Sequence, residues 1–196
     1  MKFFSSLLFL TFAFASIANI APKPIPYKIN PTESKVEWFA SKVTGKHNGT
    51  VGVKSGNLEF EGEKLMAGKF EIDMTTLAIT DLQGEWGAKL LGHLKSDDFF
   101  SVEKFNSATL VVKNAALLSA GVYTVTADMT IKGITKEVVF NALVNQSGGT
   151  ATADIKLDRT DFDIRYGSGK FFPNIGDKMI HDEFNLKVNL AFGKAL

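Results

Sequence analysis

Apolar and polar residues change places one for one in run after run of this chain, a period that belongs to half-buried strands and not to helices. Val36 and Trp38 flank Glu37, and Phe70, Ile72 and Met74 alternate with Glu71 and Asp73. Leu110 and Val112 come next, then Tyr123, Val125, Ala127, Met129 and Ile131, set between Thr124, Thr126, Asp128 and Thr130. The pattern returns at Val138, Phe140 and Ala142, again at Ala151, Ala153, Ile155 and Leu157, and finally from Phe184 through Leu186, Val188 and Leu190 to Phe192. With Val51 through Phe60 this makes about eight strands, each with one wet and one apolar face.

Turn chemistry at Ser55-Gly56-Asn57, Glu61-Gly62, Ala120-Gly121, Lys132-Gly133 and Ser147-Gly148-Gly149 separates the runs. Connections this short demand antiparallel neighbours. So many strands with so little helix must cover their apolar side with more sheet. The expectation is an all-β fold, an antiparallel β-barrel of about eight strands, with a two-sheet sandwich as the alternative.

One stretch breaks the period. From Thr80 to Leu94, Leu82, Trp86 and Leu90 fall at helical spacing, and Leu91 and Leu94 widen the stripe. Thr80 and Gln83 fit a capping box, although Gly84 and Gly87 each cost a helix about 1 kcal/mol relative to Ala. Ser96-Asp97-Asp98 then reads as the cap of a one-turn helix presenting Phe99 and Phe100. A single helix inserted in a strand-rich chain suggests a lid at a barrel mouth. A second irregular segment, Asp158 to Lys178, is too long for a hairpin and carries Arg159, Arg165 and Tyr166. Loops of that length are often functional.

Residues 1–18 read as a secretion signal: Lys2, an apolar run from Phe3 to Phe14, and small residues that permit cleavage after Ala15 or Ala18. Residues 19–26, with Pro22, Pro24 and Pro26, read as an extended linker, which leaves 27–196 as one domain. The expected address is periplasmic or secreted. The chain contains no cysteine, so neither disulfides nor a cysteine-borne lipid can contribute. Its net charge of +1 falls to about zero with Lys2 removed, and no basic stripe stands out. Nucleic acid is therefore a poor partner, and no stable membrane insertion is expected. A homodimer is left open.

Catalytic and metal patterns are missing from the sequence. His47, His93 and His181 have none of the spacings used by zinc sites. Gly167-Ser168-Gly169-Lys170 lacks the upstream glycine of a phosphate loop and has no Ser or Thr after it. Asn48-Gly49-Thr50 matches a glycosylation sequon but is read first as a turn. A general base at His93, assisted by Asp97 or Asp98, is the one enzyme hypothesis to carry forward.

Six stretches, in order, resemble the YceI-like family. They are Tyr27-Lys28-Ile29-Asn30 with Ser34-Lys35-Val36-Glu37-Trp38; Phe70 through Leu77; Leu91-Gly92-His93-Leu94-Lys95-Ser96-Asp97-Asp98-Phe99-Phe100; Ala127 through Lys136; Leu157-Asp158-Arg159-Thr160-Asp161-Phe162; and Ile180 through Phe184. The resemblance implies a lipocalin-like barrel in the periplasm, not an enzyme, that encloses the tail of a polyisoprenoid, a quinone or a related lipid and needs no other cofactor. On that reading Val36, Trp38, Phe70, Ile72, Met74, Leu90, Leu91, Leu94, Phe99, Phe100, Leu110, Val125, Ala127, Met129, Phe140, Ala142, Ile155, Phe184 and Leu186 line a tail pocket. His93, Lys95 and Arg165 are the head-group candidates. A filled barrel with a structural or stress-related role is the alternative.

Overall fold

In the computed structural model, residues 23–194 are described. The expected signal, 1–18, lies outside them. Among the described residues the chain forms nine strands and one α-helix. The strands are β1 (Ile25–Ile29), β2 (Lys35–Lys42), β3 (Gly45–Glu61), β4 (Lys64–Ile79), β5 (Ser107–Ser119), β6 (Val122–Ile131), β7 (Ile134–Asn145), β8 (Thr150–Asp158) and β9 (Glu183–Lys194). The helix α1 spans Gly84–Lys95, and a 3-10 turn covers Arg159–Phe162.

Every pairing is antiparallel, and the order β3-β2-β9-β8-β7-β6-β5-β4 returns to β3 through the β3–β4 pairing, so the sheet closes into an eight-stranded barrel. The extra strand does not enlarge the ring. β1 pairs with β3 at Asn57–Phe60 and with β9 at Phe192–Lys194, while β2 pairs with the same two strands further along. The two are halves of one stave, broken between Asn30 and Ser34. At the break Ser34 Oγ donates to Asn30 O at 2.7 Å and accepts from Ala191 N at 3.1 Å. Ile25 and Pro26, expected in the linker, are already paired with Phe60 and Glu59.

The predicted alternation appears in its cleanest form on β6, where Tyr123, Val125, Ala127, Met129 and Ile131 are buried and their neighbours are not. Glu61-Gly62, Ala120-Gly121, Lys132-Gly133 and Ser147-Gly148-Gly149 are turns, but Ser55-Gly56-Asn57 is not. β3 continues through it for 17 residues, with register shifts near Thr50, Val53 and Glu59 against β4. Such bulges bend a strand pair so that it can wrap. Asn48-Gly49-Thr50 is likewise strand and not turn. Gly49 is required there because a Cβ would sit 1.8 Å from Ala78 O and 2.7 Å from the Trp38 ring.

The helix differs from its predicted start. Thr80 N and Oγ1 are both bonded to Asn48 O, so Thr80 extends the β3–β4 pairing and cannot cap. Gln83 takes the N-cap position without a side-chain bond. The buried residue of α1 is Gly87, with Leu91 and Leu94 packed on the core, while Trp86 faces solvent at 70% exposure under Lys89. Residues 97–100 form a turn and not a one-turn helix. Ser96 Oγ stops α1 by bonding His93 O at 2.8 Å.

The end of the barrel remote from α1 is plugged. Tyr27 meets Phe60 and Phe192 edge-on, with ring centres 5.1 and 5.9 Å apart. Tyr123 Oη donates to Glu63 O and accepts from Leu65 N, which pins the β3–β4 turn across that end. Gly49→Ala should force the Trp38 ring and the β4 backbone apart. The expected loss is about 1–3 kcal/mol, the usual cost of overpacking, read as a lower urea midpoint with an unchanged slope.

Candidate ligand-binding cavity

The inward faces of the strands surround a cavity with about 200 Å³ of room for the centres of water-sized spheres. Its wall is hydrocarbon almost throughout. Among the described residues, the polar side chains along it belong to Thr152, Arg159 and His181, besides the indole of Trp38. That indole N–H is already committed to Ala78 O at 3.2 Å. Solvation of such a surface is unfavourable, and an apolar chain is its natural occupant.

The residues expected to line a tail pocket share this wall, with three exceptions: Leu90, Leu91 and Ala127. Ala127 is inward-facing and fully buried, but its single methyl lies between Val125 and Met129, which reach further in. Leu91 packs on the core from the helix without reaching the void, and Leu90 is outside both. The wall also contains Leu58, Leu65 and Leu77 of the long β3–β4 hairpin, which the alternation itself would have supplied once Gly56 was read as strand. Ile164 comes from the irregular loop and Ile180 from just beyond it, where no period marks them.

The two irregular segments do meet over one end. His93 of α1 stands edge-on to Tyr166 of the long loop at 4.5 Å and to Phe99 at 5.0 Å. The residue that holds this lid is Arg159, 4% exposed. Its Nε donates to His181 O at 3.2 Å, Nη1 to Ile164 O at 2.9 Å and Tyr166 O at 2.8 Å, and Nη2 to Ile180 O at 3.1 Å. Asp182 Oδ1 is 3.2 Å from Nη2, close enough for charge attraction but not aligned as a hydrogen bond. A guanidinium has five N–H donors. Four are bonded and the fifth has Asp182 beside it, so Arg159 has none to offer a ligand. Burial draws its pKa down, with Asp182 and Asp158 opposing, and an arginine remains cationic regardless.

Next to it, Asp158 caps the 3-10 turn by accepting from Thr160 N at 2.9 Å and from Lys170 Nζ at 2.5 Å. Partial burial resists ionisation of this carboxyl, but the bonds from Lys170 and Thr160 outweigh it and hold the pKa below the usual aspartate value. The Gly167-Ser168-Gly169-Lys170 motif serves this arrangement: Ser168 is fully buried, its Oγ accepts from Lys170 N, and the lysine is delivered to Asp158.

None of the head-group candidates reaches the cavity wall. Arg165 is exposed, paired with Asp163 at 2.5 Å and lying over the Phe171 ring. Lys95 Nζ is used on Thr75 O at 2.7 Å. His93 Nε2 is 3.5 Å from Asp98, on the outer side of the aromatic stack. Asp97 is occupied by Ser101 and Lys104. The sequence signal that separates the buried Arg159 from the exposed Arg165 is the resemblance, whose stretch at 157–162 contains the first and not the second.

The YceI-like domain matches residues 27–192 of the chain. The chain belongs to that family. Among its relatives, a UPF0312 protein of Shewanella denitrificans is 31% identical over 87 residues, 44% of each chain. One from Pseudomonas putida strain W619 is 33% identical over 116 residues, 58% of this chain and 57% of its own. The chain thus spans about half the length of the relatives it matches. Of solved structures, BcnA of Burkholderia cenocepacia superposes with a TM-score of 0.66 at 22% identity, over 83% of this chain and 98% of that one. A polyisoprenoid-binding domain from Saccharophagus degradans, implicated in plant cell wall breakdown, gives 0.63 at 16% identity, over 87% and 99%. At these identities the likeness is one of fold.

Two outcomes follow for the YceI-like lid. Arg159→Met strands the carboxylate of Asp182 and four carbonyls, and should cost about 3–5 kcal/mol in chemical denaturation. Asp158 has a depressed folded pKa, so its stabilisation is present above the unfolded value of about 3.9 and is lost as pH falls through the folded one. Asp158→Asn should therefore melt lower than the wild type at pH 6, and the difference should shrink as pH falls below the unfolded value and through the depressed folded one.

Proposed function

We propose that this YceI-like domain is an exported carrier that holds the tail of a long-chain amphiphile (a polyisoprenoid, a quinone tail or a related lipid) inside the barrel. The observation that carries the reading is the cavity wall: hydrocarbon almost throughout, plugged at one end by aromatic rings and lidded at the other. A tail that buries about 400 Å² there gains roughly 10 kcal/mol before ordering costs. The description of the Saccharophagus degradans domain as polyisoprenoid-binding supports the same ligand class. The secretion signal read at residues 1–18 supports export. His93 is absent from the cavity wall and Arg159 has spent its donors on backbone carbonyls, which favours binding over the His93 general-base hypothesis. The void itself argues against a filled structural barrel.

Trp38 lines the cavity and reports on it, whereas Trp86 is exposed and adds only background. In a Trp86→Phe variant, titration with dibrominated stearyl alcohol should quench Trp38 emission saturably, because bromine must approach the ring to act. Val125→Phe fills the wall at a cost of about 1–3 kcal/mol and should weaken that quenching at least tenfold. Undiminished affinity in the folded Val125→Phe variant, or no quenching in its parent, would count against an internal tail site.

A further inference from the structure

Strand pairing around the barrel fails at one seam. β7 and β8 share four rungs, from Asn145 opposite Thr150 to Ala142 opposite Ala153, and then part. Beyond that point β7 is paired with β6 alone down to Ile134, and β8 with β9 alone to Asp158. The lid end of the resulting wedge is filled by Phe162 and Ile164, each 1% exposed. Nearer its apex the wall is thin. A groove on the outer surface, bordered by Asn141, Asp154, Lys187 and Asn189, shares Ala142, Thr152, Ala153 and Val188 with the wall of the internal cavity. Two alanines form the last rung, and past it no backbone pairing between β7 and β8 separates interior from exterior.

The other routes are held shut. Arg159 ties the lid through four carbonyls, and the Tyr27, Phe60 and Phe192 rings close the far end. Along the internal wall, among the described residues, Arg159 and the Trp38 indole have spent their donors, Thr152 is shared with the outer groove and His181 stands beside the lid, while Lys95 and Arg165 are engaged elsewhere. The outer groove is equipped differently. Asp154 stands opposite Lys187 in register, yet neither is in an ion pair among the described residues, and the amides of Asn141 and Asn189 flank them. One carboxylate, one ammonium and two amides sum to no net charge and offer both donors and acceptors.

We propose that the amphiphile passes sideways through the β7–β8 seam and leaves its head in this outer groove, and that the head selected is an uncharged hydrogen-bonding group such as a phenol, quinol or carboxamide. Asp154 disfavours a phosphate or pyrophosphate at the same place by charge repulsion. The proposal rests on the tail-binding reading above and adds to it the route and the resting place of the head.

The head is located with a stearamide whose amide nitrogen carries a nitroxide, added to isotope-labelled protein. Backbone amides of 141–143, 152–154 and 187–189 should broaden, and those of 93–100 and 164–166 should not. Broadening at the lid, or uniform broadening, overturns the proposal. The route is tested with Asn141→Cys/Asp154→Cys, the positions just past the last rung, in a chain that contains no other cysteine. One sample is tied by a short bismaleimide and the other has both thiols capped singly, so the two differ only in the tie. Exchange of dibrominated stearyl alcohol, followed by Trp38 quenching, should slow at least tenfold in the tied sample. Equal rates overturn the lateral route and leave tail binding intact. A parent protein that never quenches fails the underlying reading instead.

Discussion

Strand pairing that runs unbroken around the ring is what the barrel depends on, and strands of unequal length cannot supply it everywhere. Backbone amides without partners are costly when they are also dry, so each shortfall needs a cover. The β2 stave is too short for the long β3 and β9, and β1 is laid end to end with it to finish the pairing. β4 runs on past the start of β5, and α1 fills the space, with Lys95 bonded to Thr75 O and Met74 N to Asn106 O. β7 and β8 part, and the 3-10 turn that follows β8 packs Phe162 into the gap. The non-strand elements are thus placed where the sheet runs out of neighbours.

Charge organises the lid. A long loop cannot satisfy its own carbonyls in a dry setting. Arg159 solves this by presenting a rigid fork to four of them at once, which a lysine could not do. Asp182 offsets the buried cation, and Asp158 with Lys170 fastens the neighbouring turn. Removing the arginine alone leaves the rest of this set without its centre, and the damage should exceed that from losing any one aliphatic residue of the lid.

Strands were legible in the sequence because inside and outside are written at every second residue. Ser55-Gly56-Asn57 was misread because turn-forming composition also suits a bulged strand, where Gly56 has Phe70 and Ile29 close to its Cα. The helix was found, but its face was not. A stripe of large apolar residues pointed to Trp86, while the buried face is built on Gly87, whose missing side chain admits the Leu82 carbonyl. The cavity wall followed from the alternation, since any inward residue on a closed ring borders the same space. The head-group candidates followed only from their position near the irregular segments, and Lys95 and Arg165 turned out to be committed to local partners.

The aromatic plug formed by Tyr27, Phe60 and Phe192 makes the bore blind. A blind bore is a ruler. For a tail held as proposed, with its tip stopped against the plug and its other end fixed at the point of entry, the depth of the barrel sets how many carbons fit. Each methylene short of that depth forfeits about 0.8 kcal/mol of burial, and each one beyond it must coil or protrude into water. Discrimination between homologous chains then needs no recognition of any functional group at all.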